Sequence, residues 1–95
     1  MAEVKVKLFR VYRTDTRIAE TTINAGTLAD IFPALNAQVE EKYLEKKKSD
    51  SSLEKPEPIK FKDALVYING EKCSKKSRAL ENGAEIWIMS PASGG

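Results

Sequence analysis

The sequence contains no histidine and only one cysteine, Cys73. Histidine is the commonest general base and metal ligand, so its absence removes the catalytic triads and zinc sites that depend on it. A lone cysteine excludes an internal disulfide, which agrees with a reducing compartment. The surrounding lysines would favour a Cys73 thiolate, but we interpret this residue as structural or incidental.

Long apolar runs are also missing. No stretch approaches the roughly 20 apolar residues that a membrane-spanning helix needs. The opening residues, MAEVKVKLF, lack the apolar core of a signal peptide. We therefore expect a cytoplasmic protein with no membrane partner.

An excess of one charge is the third absence. The 16 Lys and Arg residues stand against 14 Asp and Glu residues, which leaves a net charge of +2. Nucleic-acid binders usually carry a more one-sided charge. No nucleic-acid partner is therefore predicted.

The residues that are present fit one small α+β domain. Of the 95 residues, 41% are hydrophobic and 32% charged, as in a single globular domain. Alternating or β-branched runs predict strands at residues 4–12, 17–23, 64–69 and 84–89. The polar RTDT stretch predicts a hairpin turn between the first two strands. The dipeptides Asn69-Gly70 and Asn82-Gly83 predict two further turns.

A helix is predicted from about residue 28 to residue 47. Thr27 is a good N-cap residue, and Asp30 stands where the second member of a capping box belongs. Apolar residues recur on one stripe at Leu28, Ile31, Phe32, Leu35 and Val39, with Tyr43 and Leu44 later on the same side. Pro33 leaves two alternatives open: it kinks one continuous helix, or it begins the main helix after a single turn. A loop is predicted at residues 49–58.

The order strand, strand, helix, strand, short pieces, strand indicates a β-grasp (ubiquitin-like) fold. A helix of this length needs a sheet face on which to bury its stripe. If the first two strands form a hairpin and the last strand lies beside the first, a mixed four- or five-stranded sheet packs on one main helix. We expect this domain to cover residues 1–89.

Strand alternation places large side chains on both faces of the sheet. If Ile86 and Ile88 face the helix, then Tyr67, Trp87 and Met89 project from the open face. Three large, partly apolar side chains on a solvated face form a candidate partner-binding patch. The alternative is a sheet face that is covered only by lysine side chains.

The chain ends in SPASGG, which should leave the sheet because Pro91 stops ladder pairing. We expect residues 90–95 to form a flexible arm whose last five residues reach about 17 Å when extended. Gly94 and Gly95 lack Cβ atoms, so the backbone can enter a narrow channel and present an unhindered carboxylate. The reach and fit of the arm would be set by Ser90, Pro91, Ala92 and Ser93. The alternative is a frayed terminus with no function.

The stretches VYING and LENGAEIWIMSPASGG, with the opening VKVKLF strand and the Thr27-Leu28 helix start, resemble the MoaD/ThiS family of ubiquitin-like sulfur carriers. The similarity is greatest to the small subunit of molybdopterin synthase, and it spans almost the whole chain. The chain departs from this family in the longer, charged segment 46–62. Its arm also lacks the consecutive prolines or larger apolar residues that are common in the family.

The resemblance implies a carrier protein rather than an enzyme. An adenylating enzyme of the ubiquitin-activating type would use ATP and magnesium to activate the Gly95 carboxylate. A sulfur donor protein would then convert it to a thiocarboxylate, and a large synthase subunit or another acceptor would take the sulfur, with molybdopterin biosynthesis as the first expectation. No cofactor is expected on this chain, which has no glycine-rich phosphate loop.

The partners would dock on the open face of a protein that is expected to be a monomer when free. The docking residues implied are Phe9, Tyr67, Trp87 and Met89, with nearby Arg and Lys side chains steering the approach. Other functions stay open. Carriers of this shape also serve thiamin, cysteine and tRNA-thiolation pathways, a protein modifier would join Gly95 to target lysines, and a non-covalent binding module would not need the glycines.

Overall fold

The computed structural model describes residues 2–90. Within them, the chain forms five strands, two α-helices and one 3-10 turn. The strands are β1 (Ala2–Phe9), β2 (Glu20–Ala25), β3 (Leu65–Ile68), β4 (Glu71–Lys72) and β5 (Glu85–Met89). The helices are α1 (Val11–Thr16) and α2 (Leu28–Lys47), and the 3-10 turn is Phe61–Asp63. No helix in the described part of the chain is sufficiently long and apolar to span a membrane.

The five strands form one mixed sheet in the order β2-β1-β5-β3-β4. β1 pairs antiparallel with β2 and parallel with β5, so the last strand lies beside the first. β3 is antiparallel to both β5 and β4. A mixed sheet with one main helix confirms the predicted β-grasp architecture.

The connection between β1 and β2 is not the predicted hairpin turn. β1 ends at Phe9, and Arg10 turns the chain out of the sheet with φ 57° and ψ −133°. The next six residues form α1, in which the Thr16 hydroxyl donates to the Tyr12 carbonyl at 2.6 Å. The segment has no glycine for a tight primed turn, so a short helix reverses the chain instead.

The remaining strands lie close to their predicted positions. β2 begins three residues late because Arg17 ends α1 in the left-handed conformation and Ile18 is buried before the strand starts. β3 and β5 are within one residue of the predicted bounds. Asn69 and Gly70 have φ values of 51° and 88°, the positive pair that a type I′ hairpin turn requires, so the predicted turn is confirmed.

The predicted bounds of α2 are confirmed. The Asp30 carboxylate accepts hydrogen bonds from the Thr27 backbone N–H at 3.2 Å and from its hydroxyl at 3.1 Å. Pro33 lies inside the continuous helix, so the alternative in which it begins the main helix is wrong. The prediction for Leu44 is also wrong, because its side chain is 54% exposed. At about 100° per residue, Leu44 points away from Leu35 and from the buried stripe.

The core lies between α2 and one face of the sheet. It is built from the helix stripe and from alternate strand residues, among them Val4, Val6, Leu8, Val66, Ile86 and Ile88. The predicted inward orientation of the two isoleucines of β5 is therefore confirmed. Every second residue of these strands is left on the opposite, open face.

The charged segment between α2 and β3 is fastened to the helix near its end. The Asn36 side-chain amide donates to the Ile59 carbonyl at 2.9 Å and accepts from the Ile59 N–H at 2.8 Å. Ile59 is only 2% exposed, and Phe61 packs edge-on against Phe32 at 5.7 Å. The final residues of this segment are therefore part of the core.

Candidate functional site

Five half-buried side chains form a continuous surface on the open face of the sheet. Tyr67 on β3 is the cross-strand partner of Trp87 on β5. Met89, at the end of β5, lies between Leu65 on β3 and Phe9 on β1. We call these five residues the apolar patch.

Trp87 stands at the centre of the apolar patch. Its ring meets Phe9 edge-on with centroids 5.9 Å apart, and it meets Tyr67 in a tilted arrangement at 6.3 Å. Aromatic pairs at these separations attract each other through their ring edges and faces. The structure thus brings together the four predicted docking residues. Their contact with a partner remains a prediction.

The Trp87 indole N–H is buried and has no hydrogen-bond partner among residues 2–90. Lys7 holds the pKa of the Glu85 carboxyl group down against the opposing effect of burial, and the nearby indole N–H adds a smaller lowering effect. A buried donor without a partner costs free energy unless an acceptor is supplied. The centre of the patch therefore contains one buried donor that lies near the Glu85 carboxylate.

Ion pairs border the apolar patch on the side of β1. Lys7 lies beside Trp87 on the neighbouring strand, and its ammonium group is 2.8 Å from a Glu85 carboxylate oxygen. This hydrogen bond raises the pKa of Lys7 and lowers the pKa of Glu85. Lys5 forms a second, looser pair with Glu20 at 3.6 Å. The Lys7–Glu85 pair is half-exposed and the Lys5–Glu20 pair is exposed, so both contribute charge and orientation to this surface more than stability.

The predicted arm would begin where the apolar patch ends. Ser90 follows Met89 directly, and the Arg10 side chain reaches it from the adjacent strand, with Nη1 3.4 Å from the Ser90 carbonyl oxygen. The rest of the predicted arm lies outside the described residues: Pro91, Ala92, Ser93, Gly94 and Gly95. Its flexibility and chemistry therefore stay predictions.

Two residues of this surface were not predicted. Leu65 lies two residues before Tyr67, so strand alternation was the signal that would have placed it on the same face. Arg10 gave no such signal, because the first strand was expected to continue through it to residue 12. Its position follows from the early end of β1 and from the pairing of β1 with β5.

The other reactive group lies apart from the apolar patch. Cys73 follows β4, packs against the core, and its Sγ is 3.6 Å from the Lys75 carbonyl oxygen. These contacts are those of a small structural side chain, which fits our interpretation. Among residues 2–90, no three Asp, Glu, Cys or His side chains group as a metal site would require.

Comparison with known proteins gives matches at the level of structure. No protein-family model and no curated protein matches the chain. The small archaeal modifier protein 1 from Methanosarcina acetivorans is 29% identical, with a TM-score of 0.70, and the match covers 100% of this chain and 98% of that one. The putative molybdopterin converting factor subunit 1 from Pyrococcus furiosus is 20% identical over 97% of this chain and 100% of that one, with a TM-score of 0.59.

The chain therefore shares the β-grasp fold of these proteins, and its similarity to the archaeal modifier protein extends over its whole length. A third similar chain comes from a complex of subunits 1 and 2 of the molybdopterin-converting factor from Helicobacter pylori. It is 17% identical, covers 98% of this chain and 99% of that one, and has a TM-score of 0.54. These similar chains are a small modifier protein and molybdopterin-converting factor subunits, and a carrier role for the present chain stays a prediction.

Proposed function

We propose that this protein carries sulfur on the carboxyl group of Gly95, for use in molybdopterin (molybdenum or tungsten cofactor) biosynthesis. The observation that carries the proposal is the continuity of the apolar patch with the arm. Met89 belongs to the patch and Ser90 begins the arm. A partner that covers the patch would therefore also lie beside Ser90, where the arm begins.

The chemistry requires activation because a carboxylate is a poor electrophile. An adenylating partner would join a Gly95 carboxylate oxygen to the α-phosphate of ATP, with pyrophosphate leaving. A persulfide of the donor protein would then attack the carbonyl carbon and displace AMP, and a thiol would cleave the resulting S–S bond. The product is a thiocarboxylate, whose sulfur is a better nucleophile than the oxygen it replaces. ATP and magnesium belong to the partner, and this chain supplies the carboxylate.

The arm delivers this group at a distance from the body of the protein. The five residues after Ser90 span at most about 17 Å, which is enough to enter an active site while the apolar patch stays docked. Two terminal glycines add no side-chain bulk to a narrow channel. Both features are expectations from sequence and covalent geometry.

The apolar patch defines the chemistry of the partner surface. An apolar pocket on the partner would cover Trp87 at its centre. Lys72, opposite Tyr67 on β4, adds positive charge at one margin. We therefore propose a partner surface that is apolar in the middle and acidic at its rim.

Two partners are proposed in sequence, both in the cytoplasm. The first is an adenylating enzyme of the ubiquitin-activating type, which works with a sulfur donor protein. The second is a large synthase subunit that holds the sulfur acceptor. The complex of subunits 1 and 2 from Helicobacter pylori, whose similar chain shares the fold, supports this second partner.

Intact-mass measurement tests the proposal. After incubation with the adenylating enzyme, ATP and a sulfur donor, the protein should gain the mass difference between sulfur and oxygen. A variant without Gly95 should gain nothing, whereas Ser93→Ala, which changes only a small arm side chain, should gain the same mass as the wild type. No gain by the wild type under conditions in which a known carrier is loaded would contradict the proposal.

A second candidate function is protein modification through the same glycine. It is favoured by the 29% identity with a small archaeal modifier protein over nearly the whole of both chains. In that case an amine of a target lysine attacks the adenylate or a thioester derived from it. Higher-mass conjugates that persist on a denaturing gel, and that vanish without Gly95, would identify this function. The two functions share the activation step, so both are compatible with one protein.

A further inference from the structure

We propose that Arg10 is a positioning residue that sets the direction in which the arm leaves the sheet. Its effect on sulfur loading rests on the proposed function, whereas its effect on the arm does not. The inference comes from three properties of Arg10: its place beside the arm root, its backbone conformation and the contact made by its side chain.

The place of Arg10 follows from strand pairing. β1 and β5 are parallel neighbours, and the last pair in their register is Phe9 with Met89. Arg10 and Ser90 are therefore the first residues beyond the sheet on two adjacent strands. At this point β1 turns into α1, while β5 ends and Ser90 follows it.

The backbone of Arg10 adopts a conformation that favours glycine. Its φ of 57° and ψ of −133° are close to those of the first central residue of a type II′ turn. Glycine occupies that position readily because it has no Cβ. Strained residues of this kind cluster at functional sites, where the surrounding structure holds them in place. An arginine here incurs strain that a glycine would avoid, which suggests that its side chain has a role.

The side chain contacts the arm root. The Arg10 guanidinium is 3.4 Å from the Ser90 carbonyl oxygen, and none of the ion pairs within residues 2–90 involves it. A guanidinium has five N–H donors in a rigid plane. The contact with the Ser90 carbonyl uses one of these donors, and the planar geometry orients the carbonyl. An oriented Ser90 carbonyl restricts the backbone direction at the first residue of the arm.

Arg17 provides a matched control for Arg10. Both are arginines with positive φ at the two ends of α1, and glycine is acceptable at both positions. Arg17 stands at the far end of that helix, where its backbone carbonyl accepts from Lys42. Arg10→Gly and Arg17→Gly therefore remove the same charge and relieve positive φ, but only the first removes the contact with Ser90.

The first measurement is NMR of the free, full-length protein. Arg10→Gly should change the amide shifts of Ala92 and Ser93 and lower the heteronuclear NOE of Ser90, with a melting temperature no lower than that of Arg17→Gly. Arg17→Gly should leave the arm signals as in the wild type. Arm signals that are the same in both variants would overturn the proposal. This measurement needs no partner, so it decides on Arg10 even if the proposed sulfur chemistry fails.

The second measurement is the rate of pyrophosphate release with the adenylating enzyme. Misdirection of the arm should lower kcat on the order of tenfold, while KM stays unchanged because the apolar patch is intact. Arg10→Lys keeps a donor and should recover part of the rate. An unchanged kcat, or a raised KM with unchanged kcat, would overturn a positioning role. If the wild type itself releases no pyrophosphate, the proposed function fails and the NMR result still stands.

Discussion

Replacement of Asn36 by Ala tests how the charged segment before β3 is held on the domain. The Asn36 amide makes both a donor and an acceptor hydrogen bond to the backbone of Ile59, at 2.9 and 2.8 Å. The alanine variant loses both bonds. Ile59 is only 2% exposed, so its backbone N–H and C=O would then need new hydrogen-bond partners.

The expected loss of stability follows from these two bonds. A typical intramolecular hydrogen bond contributes about 0.5–1.5 kcal/mol, so the unfolding free energy should fall by about 1–3 kcal/mol. For a domain of this size, each kcal/mol shifts the melting temperature by about 4–8 °C. Asn36→Asp keeps the acceptor for the Ile59 N–H but replaces the donor by a carboxylate oxygen that faces the Ile59 carbonyl, so this variant should also lose stability at neutral pH.

Urea unfolding and amide hydrogen exchange provide the measurements. Unfolding gives the free-energy difference, and exchange at the Ile59 amide should accelerate in Asn36→Ala more than the global loss of stability explains. A loss below about 0.5 kcal/mol, with Ile59 exchange unchanged, would refute the reasoning, because the two bonds would then contribute less than a typical single one.

Two further predictions concern the apolar patch and its border. Trp87→Ala should weaken binding to the adenylating enzyme by about 2 kcal/mol, or roughly 30-fold, as a central aromatic anchor does. Leu44→Ala, which alters an exposed side chain of α2, should bind in calorimetry as the wild type does, and equal binding by both variants would contradict the patch assignment. Lys7 lowers the pKa of Glu85 below its ordinary value of 4.5, so the ionised carboxylate stabilises the folded protein. The wild type should therefore be more stable than Glu85→Gln above pH 4.5. This difference in unfolding free energy should be lost as the pH falls through the lowered pKa of Glu85. Unfolding measured against pH checks this, and an advantage that persists in strong acid would exclude the ion pair as its source.

The elements that were predicted correctly are those whose structure is determined by residues within the element itself. The helix α2 carries its own start signal in Thr27 and Asp30 and its own buried stripe, so its bounds were predicted correctly. Strand alternation correctly placed Tyr67 and Trp87 on one face. Each of these features depends on residues that are close together in the chain.

Features that depend on distant contacts were not predicted. The helix α1 is short and mostly polar, and it begins at an arginine with positive φ that no local preference indicates. The anchoring of residue 59 depends on a side chain 23 residues earlier in the chain. The contact between Arg10 and Ser90 joins residues 80 positions apart, and only the pairing of β1 with β5 brings them together.

If the carboxyl group of Gly95 is the reacting group, the sulfur added during loading should be found there. Tryptic cleavage after Arg78 releases residues 79–95, a peptide that contains Gly95 but not Cys73. Mass spectrometry should find the added sulfur at the last residue of this peptide, in the wild type and equally in Cys73→Ser. Sulfur found on the peptide that contains Cys73, with none on Gly95, would contradict the account.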